Sequence, residues 1–251
     1  MIQYEYPFNE RIRTYLRLEH LFGHYAELSV RDTPVDHHYA LYSLFEILEI
    51  TSRSDLKKEI MLDLDRLRHQ LAGWRDNPAV AQGTLDRLMR EADVCFRLLE
   101  HMPGKIGYSI TSNDWLMALR SRIAIPGGTC EFDLPAYHAW QHLPETRRKT
   151  DLKHWMAGLH PVSDSIRLLL SLVRNGGHTQ RMTAQNGQFQ LNLPQARSFQ
   201  LLQLALDPVH QVIPEISANR LLVSVRMMRQ DADGHLTLHP IDVSFELTLC
   251  A

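Results

Sequence analysis

Cysteine is scarce in this chain of 251 residues, and its distribution excludes two common kinds of site. The three cysteines, Cys95, Cys130 and Cys250, form no Cys-x-x-Cys pair and no regular spacing. A disulfide framework needs an even, patterned set of cysteines, and a thiolate zinc site needs closely paired ones. We therefore expect free thiols in a reducing cytoplasm.

Long apolar runs and a large net charge are also missing. No stretch approaches the roughly 20 apolar residues that cross a bilayer, and the opening residues MIQYEYPFNER contain no apolar signal core. The formal net charge of -2 excludes the global positive field of a protein that wraps DNA, although a local basic patch can exist within a neutral total. We therefore expect no membrane partner. Any charged partner must be recognised by local clusters of charged side chains.

Sequence motifs of catalysis are absent as well. The glycine patterns of phosphate and dinucleotide sites, GxxxxGK[ST] and GxGxxG, do not occur, and neither does the GxSxG motif of serine hydrolases. We therefore expect no enzyme, no small-molecule substrate and no cofactor.

Two histidine pairs have the spacing of metal ligands on a helix. His138 and His142 are spaced one helical turn apart, as are His20 and His24, and such a pair can ligate one zinc ion. Catalytic HExxH helices place a glutamate directly after the first histidine, and Ala139 occupies that position here. A histidine-based metalloenzyme is therefore the weaker alternative, and we expect no metal.

The periodicity of apolar residues changes once along the chain, near Asn175-Gly176-Gly177. Before this point apolar residues recur at helical spacing, and after it they alternate as in half-buried strands. The pattern predicts an α+β protein, with an N-terminal helical bundle domain over 1–176 and a C-terminal antiparallel β-strand domain over 177–251.

A long helical hairpin is predicted within the first domain. Two successive helices carry apolar seams with alternating steps of four and three, which favours antiparallel packing across the turn RDNP. The seams are Ile60, Leu64, Leu67, Leu71 and Trp74, then Leu85, Leu88, Ala92, Cys95, Leu99 and Met102. Packing within the bundle is the favoured role of this hairpin, and an arm that meets a second subunit is the alternative.

Strand signals dominate the second domain. In the last strand, Ile241, Val243, Phe245, Leu247 and Leu249 share one face, and polar residues alternate with them. The Asn-Gly turn in QNGQ, residues 185–188, predicts a hairpin between the segments on either side of it.

Cationic side chains are distributed in a way that favours binding. On the first helix, Arg17 belongs to a stripe with Arg13, His20 and His24. No lysine occurs after Lys153, so the later cations are arginines, the side chain suited to planar contacts with carboxylates or phosphates. A nucleic-acid-binding protein that uses these arginine faces is therefore an alternative function.

Four segments occur along the chain in an order that is specific to one family. They are FNERIRTYLRLE (8–19), LDRLR (64–68), RSRIAIPGGTCEFDLPAYHAWQHLP (120–144) and PEIS (214–217). In sequence and order they resemble the ZapD family of cell division proteins, and the resemblance extends over nearly the whole chain. It implies a homodimer of α-helical and β-strand domains that binds the C-terminal tail of the tubulin-like protein FtsZ. It also implies that the dimer bundles FtsZ filaments in the cytoplasm and is recruited through FtsZ to the division site at mid-cell.

Candidate partner-binding residues come from two sources. Those within the matching segments are Arg17, Arg120, Arg122 and His138. The general basic pattern adds Arg53 and Arg226, the latter a mid-strand arginine that is predicted to face away from the core. With FtsZ and a second copy of the chain as the expected partners, nucleic acid is not favoured.

Overall fold

The structure, a computed structural model, describes residues 1–52, 55–75, 77 and 80–251. Contacts divide the chain into two compact units. The helical unit comprises Leu16–Leu169, and the sheet unit comprises Met1–Tyr15 together with Leu170–Ala251. The predicted α+β class, with helices followed by an antiparallel β region, is confirmed.

Helices make up most of the described chain between residue 10 and residue 175. Their bounds are α1 Glu10–Ser29, α2 Pro34–Ser52, α3 Leu56–Ala72, α4 Gln82–Glu100, α5 Tyr108–Thr111, α6 Asp114–Ile123, α7 Pro135–Gln141, α8 Glu145–Met156 and α9 His160–Asn175. Side-chain caps fix several starts. For α1, the Asn9 Oδ1 accepts from the Ile12 amide at 2.9 Å. None of the helices formed by the described residues combines the length and the apolar character that a membrane span requires.

Helix α2 supplies much of the core of the helical unit. Leu41, Leu44 and Ile47 are completely buried, and Phe45 and Leu48 are nearly so. These residues cover a broad face of the helix, and Tyr39 and Tyr42 on the remaining face are exposed, so α2 packs into the core by one broad side.

Helices α3 and α4 form the predicted antiparallel hairpin. The Lys57 ammonium donates to the Met102 carbonyl at 2.9 Å, and the Arg68 guanidinium donates to the Asp93 carboxylate at 2.6 Å, so residues pair in opposite directions along the two helices. The buried seam consists of Ile60, Leu64, Leu71, Leu85, Ala92, Cys95 and Leu99.

The predicted seam is too wide toward the end of α3 and the start of α4, and residues 76 and 78 of the predicted turn RDNP lie outside the described residues. Leu67 and Leu88 are half-buried, and Trp74 is 42% exposed. Two helices shield only the stripe along their line of contact, so residues beside that line keep part of their exposure.

Strands form two antiparallel sheets in the sheet unit. Their bounds are β1 Ile2–Pro7, β2 Gly177–Ala184, β3 Gln188–Asn192, β4 Leu201–Leu206, β5 Ile213–Ala218, β6 Leu222–Gln230, β7 Leu236–Leu238 and β8 Val243–Cys250. The first sheet has the order β1-β4-β8-β2, and the second has the order β3-β6-β5 with β7 also paired to β6.

The two sheets share one apolar core. Phe189 of β3 meets Phe245 of β8 edge to face, with ring centroids 5.2 Å apart. Val243 and Leu247 are buried beside Phe245, which confirms the predicted inner face of the last strand. Ile241 is 62% exposed, because the strand begins only at Val243, so the prediction is wrong at that residue.

The Asn-Gly turn forms, but the strands on either side of it do not pair with each other along their length. Asn186 and Gly187 have φ angles of 49° and 73°, as the turn requires, and Gln185 bridges to Gln188. Beyond this bridge β2 pairs with β8 in one sheet and β3 pairs with β6 in the other. The predicted hairpin is therefore wrong, because each strand gains a longer apolar partner elsewhere.

The N-terminal strand β1 was not predicted from the sequence. It pairs antiparallel with β4 over its full length, from Ile2 opposite Leu206 to Pro7 opposite Leu201. The sequence feature that could have predicted this strand is the alternation of Tyr4 and Tyr6 with polar residues. Both tyrosine rings pack on the sheet core. The first residues thus join the sheet unit, whereas the division into domains after residue 176 remains a prediction.

Candidate functional site

The segment that carries the clearest motif, residues 125–144 and hereafter the IPGG segment, begins with a turn that requires two glycines. Gly127 has a φ of +69°, in the left-handed region that favours glycine. Gly128 is buried, and a Cβ on it would lie 2.5 Å from the Arg122 carbonyl oxygen and 2.9 Å from the Ile125 Cβ. The turn folds back on the end of α6 because the Ile125 amide donates to the Arg122 carbonyl at 2.9 Å.

Aromatic packing anchors the helix of the IPGG segment. Tyr137 and Trp140 of α7 are buried, and their rings stack with centroids 6.0 Å apart. Trp115 of α6 lies against both rings and stacks on Trp155 of α8 at 5.1 Å. One face of α7 is therefore held in the core of the helical unit, which leaves His138 exposed on the opposite face.

Polar contacts fix the same helix. The Tyr137 hydroxyl lies 2.8 Å from His38 Nδ1 and accepts from the Gln141 side-chain amide at 3.2 Å. Burial lowers the pKa of His38, which favours a neutral ring that accepts the hydroxyl proton. The Trp140 indole donates to the Asp151 carboxylate at 3.1 Å.

A buried arginine that the sequence analysis missed holds the end of the segment in place. Arg148 of α8 is only 5% exposed. Its guanidinium donates to the carbonyls of Gln141, at 3.1 Å, and Leu143, to the carbonyl of Asp32 at 2.5 Å, and to the Nδ1 of His37 at 2.9 Å. Arg148 thereby joins α8 to the α1–α2 connection and to the end of α7.

The helical periodicity of α8 is the sequence feature that could have predicted the burial of Arg148. Leu152 and Met156 follow Arg148 at steps of four and are buried on the same face of α8. Arg147, one position earlier, is exposed and pairs with Asp151 at 3.2 Å. The helical period of α8 therefore predicts that Arg148 is buried, although its neighbours Arg147 and Lys149 are also cations.

His37 is a neutral acceptor in this network. It is completely buried, and its Nε2 lies 2.7 Å from the Arg31 carbonyl while its Nδ1 accepts from Arg148. Burial, opposed in part by the bond to Arg31 and reinforced by the charge of Arg148, lowers the pKa of His37. A proton on Nδ1 would remove the acceptor that Arg148 uses.

The cations at the end of α6 differ in their surroundings. Arg120 pairs with Glu49 of α2 at 3.0 Å, with 30% of its side chain exposed. Arg122 is exposed, and among the described residues it has no ion-pair partner. Phe132, which follows in the IPGG segment, is 78% exposed. The end of α6 thus presents a free cation and the IPGG segment presents a large apolar side chain, a combination that is typical of binding surfaces.

Arg17 lies on the exposed face of α1, as predicted, and forms no ion pair within the part of the chain described. His20 and His24 follow it on the same face, with ring centroids 4.0 Å apart. Arg53 lies outside the described residues.

Arg226 belongs to the sheet unit. It lies in β6, it is exposed, and its guanidinium pairs with Glu215 of β5 at 3.3 Å. The neighbouring core residues Val225 and Met227 are buried, which confirms that Arg226 faces away from the core. The candidate residues that the structure describes are therefore distributed over both units.

The histidine pairs gain no third ligand from the described residues. His138 and His142 are exposed, with ring centroids 4.5 Å apart. Among the described residues, the group of three side chains spaced closely enough to hold a metal ion is Asp231, Asp233 and His235, on an exposed turn of the sheet unit.

Comparison with protein families identifies the chain. The family model described as ZapD, cell division protein, matches residues 16–226. The chain belongs to the ZapD family. The match begins just before Arg17 and ends at Arg226, so it includes the whole IPGG segment and every candidate binding residue.

Membership of the ZapD family makes the chain a cell division factor, which is consistent with a partner in the division machinery. The resemblance inferred from the four segments is thereby confirmed.

Proposed function

We propose that this chain binds the C-terminal tail of FtsZ and, as a homodimer, crosslinks FtsZ filaments and stabilises the ring that they form at mid-cell. The observation that carries the proposal is the ZapD family match over residues 16–226. Binding and crosslinking account for the proposed role, so it involves no catalytic step.

The exposed cations support capture of an acidic peptide. Arg17, Arg122, His138 and Arg226 all extend into solvent. Arg17 and Arg122 have no ion-pair partner among the described residues, so an incoming carboxylate would not have to displace one. Arg53 and Arg120 remain candidate binding residues, because both lie within the residues 16–226 that the ZapD family model matches.

Crosslinking follows from symmetry. A homodimer presents every site twice, so its two equivalent sites can hold tails from two different filaments. Once one tail is bound, the second binding event occurs at a raised effective concentration, so weak single contacts suffice for bundling. Because exposed charges supply part of the affinity, we expect bundling to weaken as salt increases.

Co-sedimentation with polymerised FtsZ tests the proposal. At low centrifugal force we expect the chain to pellet full-length FtsZ bundles and to leave FtsZ without its C-terminal tail in the supernatant. Equal pelleting of both FtsZ forms would rule out tail binding. A monomeric molar mass in light scattering, at concentrations that produce bundles, would rule out the symmetric crosslink.

A further inference from the structure

A groove on the helical unit combines an apolar floor with a cationic rim. It lies between α1, α8 and α9 and has a volume of about 540 Å³. Phe22, Tyr25 and Met156 contribute to the floor and are each less than 9% exposed, whereas Val30 at one end is 69% exposed. This volume lies within the range of about 300–1,000 Å³ that holds small ligands or a few peptide side chains.

Positive charge surrounds the opening. Lys149, Lys153 and Arg167 line the groove, together with His160 and a single carboxylate, that of Asp164. Arg167 pairs with Asp164 at 2.6 Å and Lys149 pairs with Asp32. Lys153 is exposed and has no ion-pair partner within the described residues. The groove therefore retains an uncompensated cation beside its apolar floor.

A second hollow in the same unit provides a contrast. It lies on the α3–α4 hairpin, has a volume of about 490 Å³, and is also floored by apolar side chains, among them Met61 and Phe96. Its two lysines, Lys57 and Lys58, are matched by Asp55 and Asp65 in the lining. The hairpin hollow thus has balanced charge, whereas the charge of the α1–α8–α9 groove favours an anionic ligand.

We propose that the α1–α8–α9 groove binds an acidic segment of the FtsZ tail that also carries apolar side chains. This inference rests on the proposed function, which supplies the tail as the occupant. The apolar side chains of the peptide cover Phe22, Tyr25 and Met156, and its carboxylates meet Lys153 and the neighbouring cations.

The groove is separate from the basic stripe on α1. Phe22, Ala26 and Ser29 face the groove, and their helical positions place them on the side of α1 opposite Arg17. The part of the tail that is seated in the groove therefore lies away from Arg17, and a different part of the tail meets Arg17. Substitutions at the two faces of α1 report on different binding surfaces.

Fluorescence anisotropy of a labelled synthetic peptide with the sequence of the FtsZ C-terminal tail, titrated with the full chain, tests the inference. Ala26→Trp fills the groove without changing charge, and Lys153→Glu reverses the free cation. We expect each to weaken peptide binding by about tenfold or more. Arg90→Glu on the exposed face of α4 makes the same charge change outside the groove and should leave the affinity within about twofold.

The outcomes separate this inference from the proposed function. If the unmodified chain does not bind the tail peptide, the proposed function fails. If the unmodified chain binds but folded Ala26→Trp and Lys153→Glu bind equally well, the groove is not the site, and the tail-binding function stands. Circular dichroism and thermal unfolding establish that each variant is folded, and Lys153→Glu alone decides the question if Ala26→Trp is not.

Discussion

Single residues in the helical unit have roles that their type alone does not reveal. Arg147 and Arg148 are adjacent arginines on α8, yet the first is exposed in an ion pair and the second is buried among carbonyls and a histidine. A buried guanidinium is tolerated only when its donors are satisfied, since an unpaired buried charge costs several kcal/mol. Arg148 meets this condition with four acceptors from two stretches of the chain, residues 32–37 and 141–143.

Arg148→Lys should destabilise the protein far more than Arg147→Lys. Lysine carries its three N–H donors on one nitrogen, which cannot reach acceptors arranged around a planar guanidinium, so we expect the free energy of unfolding to fall by about 2–4 kcal/mol. The exposed Arg147 is the matched control, and its substitution should change stability by no more than about 0.5 kcal/mol. Urea denaturation of both variants gives the comparison, and equal stabilities would contradict the structural role of Arg148.

His37 should make stability depend on pH. Its pKa is lowered in the folded protein, whereas histidine in an unfolded chain titrates near 6.5. The unfolded state therefore binds more protons as the pH falls below about 6.5, and stability decreases there and is retained above it.

Urea unfolding at pH 7.5 and pH 5.5 measures this effect. We expect the stability lost between the two conditions to be smaller in His37→Gln than in the unmodified chain, whatever the absolute cost of the substitution. Some loss should persist, because burial also lowers the pKa of His38. An unchanged pH dependence in His37→Gln would show that His37 does not titrate in this window.

At the scale of elements, the IPGG turn determines where α7 lies. The chain leaves α6, reverses through Gly127 and Gly128, and enters α7 with Tyr137 and Trp140 in the aromatic core. The IPGG segment is thus held by its glycine turn and by the packing of its aromatic residues. These two structural requirements explain why the motif combines glycines with aromatic residues.

Glycine substitutions test the turn. In Gly128→Ala the new Cβ would clash with the Arg122 carbonyl, and we expect a loss of about 1–3 kcal/mol. In Gly127→Ala the positive φ alone is penalised, so a loss of about 1 kcal/mol is expected.

Gly23→Ala provides the opposite control for these substitutions. Gly23 lies within α1, and a Cβ there would have no atom within 4 Å. We therefore expect this variant to gain about 0.5–1 kcal/mol, because alanine favours the helix. Thermal unfolding that ranks the variants in any other order would contradict the geometry of the turn.

At the scale of the whole molecule, function is proposed to depend on duplicated binding sites rather than on one catalytic centre. The candidate cations lie in both units, Arg17 in the helical unit and Arg226 in the sheet unit. A substitution in a homodimer removes the same contact from both binding sites, and a crosslink needs both sites occupied. Filament bundling should therefore be more sensitive to a substitution than the binding of one tail to one site.

Arg17→Glu and Arg226→Glu should each abolish FtsZ bundling without changing the molar mass or the melting temperature. Both side chains are exposed, and the Arg226 pair with Glu215 is itself solvated, so neither substitution removes a buried contact. Light scattering of FtsZ polymers measures the bundling.

Arg229→Glu is the charge-matched control on β6. Arg229 is exposed and has no ion-pair partner within the part of the chain described. We expect this variant to bundle FtsZ nearly as well as the unmodified chain. A folded Arg17→Glu or Arg226→Glu variant that bundles as well as Arg229→Glu would remove that arginine from the proposed site.

The amino-acid sequence by itself determined the α+β class, the helical hairpin, the inner face of β8 and the family. These features depend on periodicity, glycine positions and local motifs, which are properties of neighbouring residues. Only the tertiary structure decided that β2 and β3 enter different sheets, that Arg148 rather than Arg147 is buried, and that α1, α8 and α9 enclose a groove. The physical reason is that strand partners, burial and concave surfaces depend on which distant elements meet, and no local pattern specifies that choice.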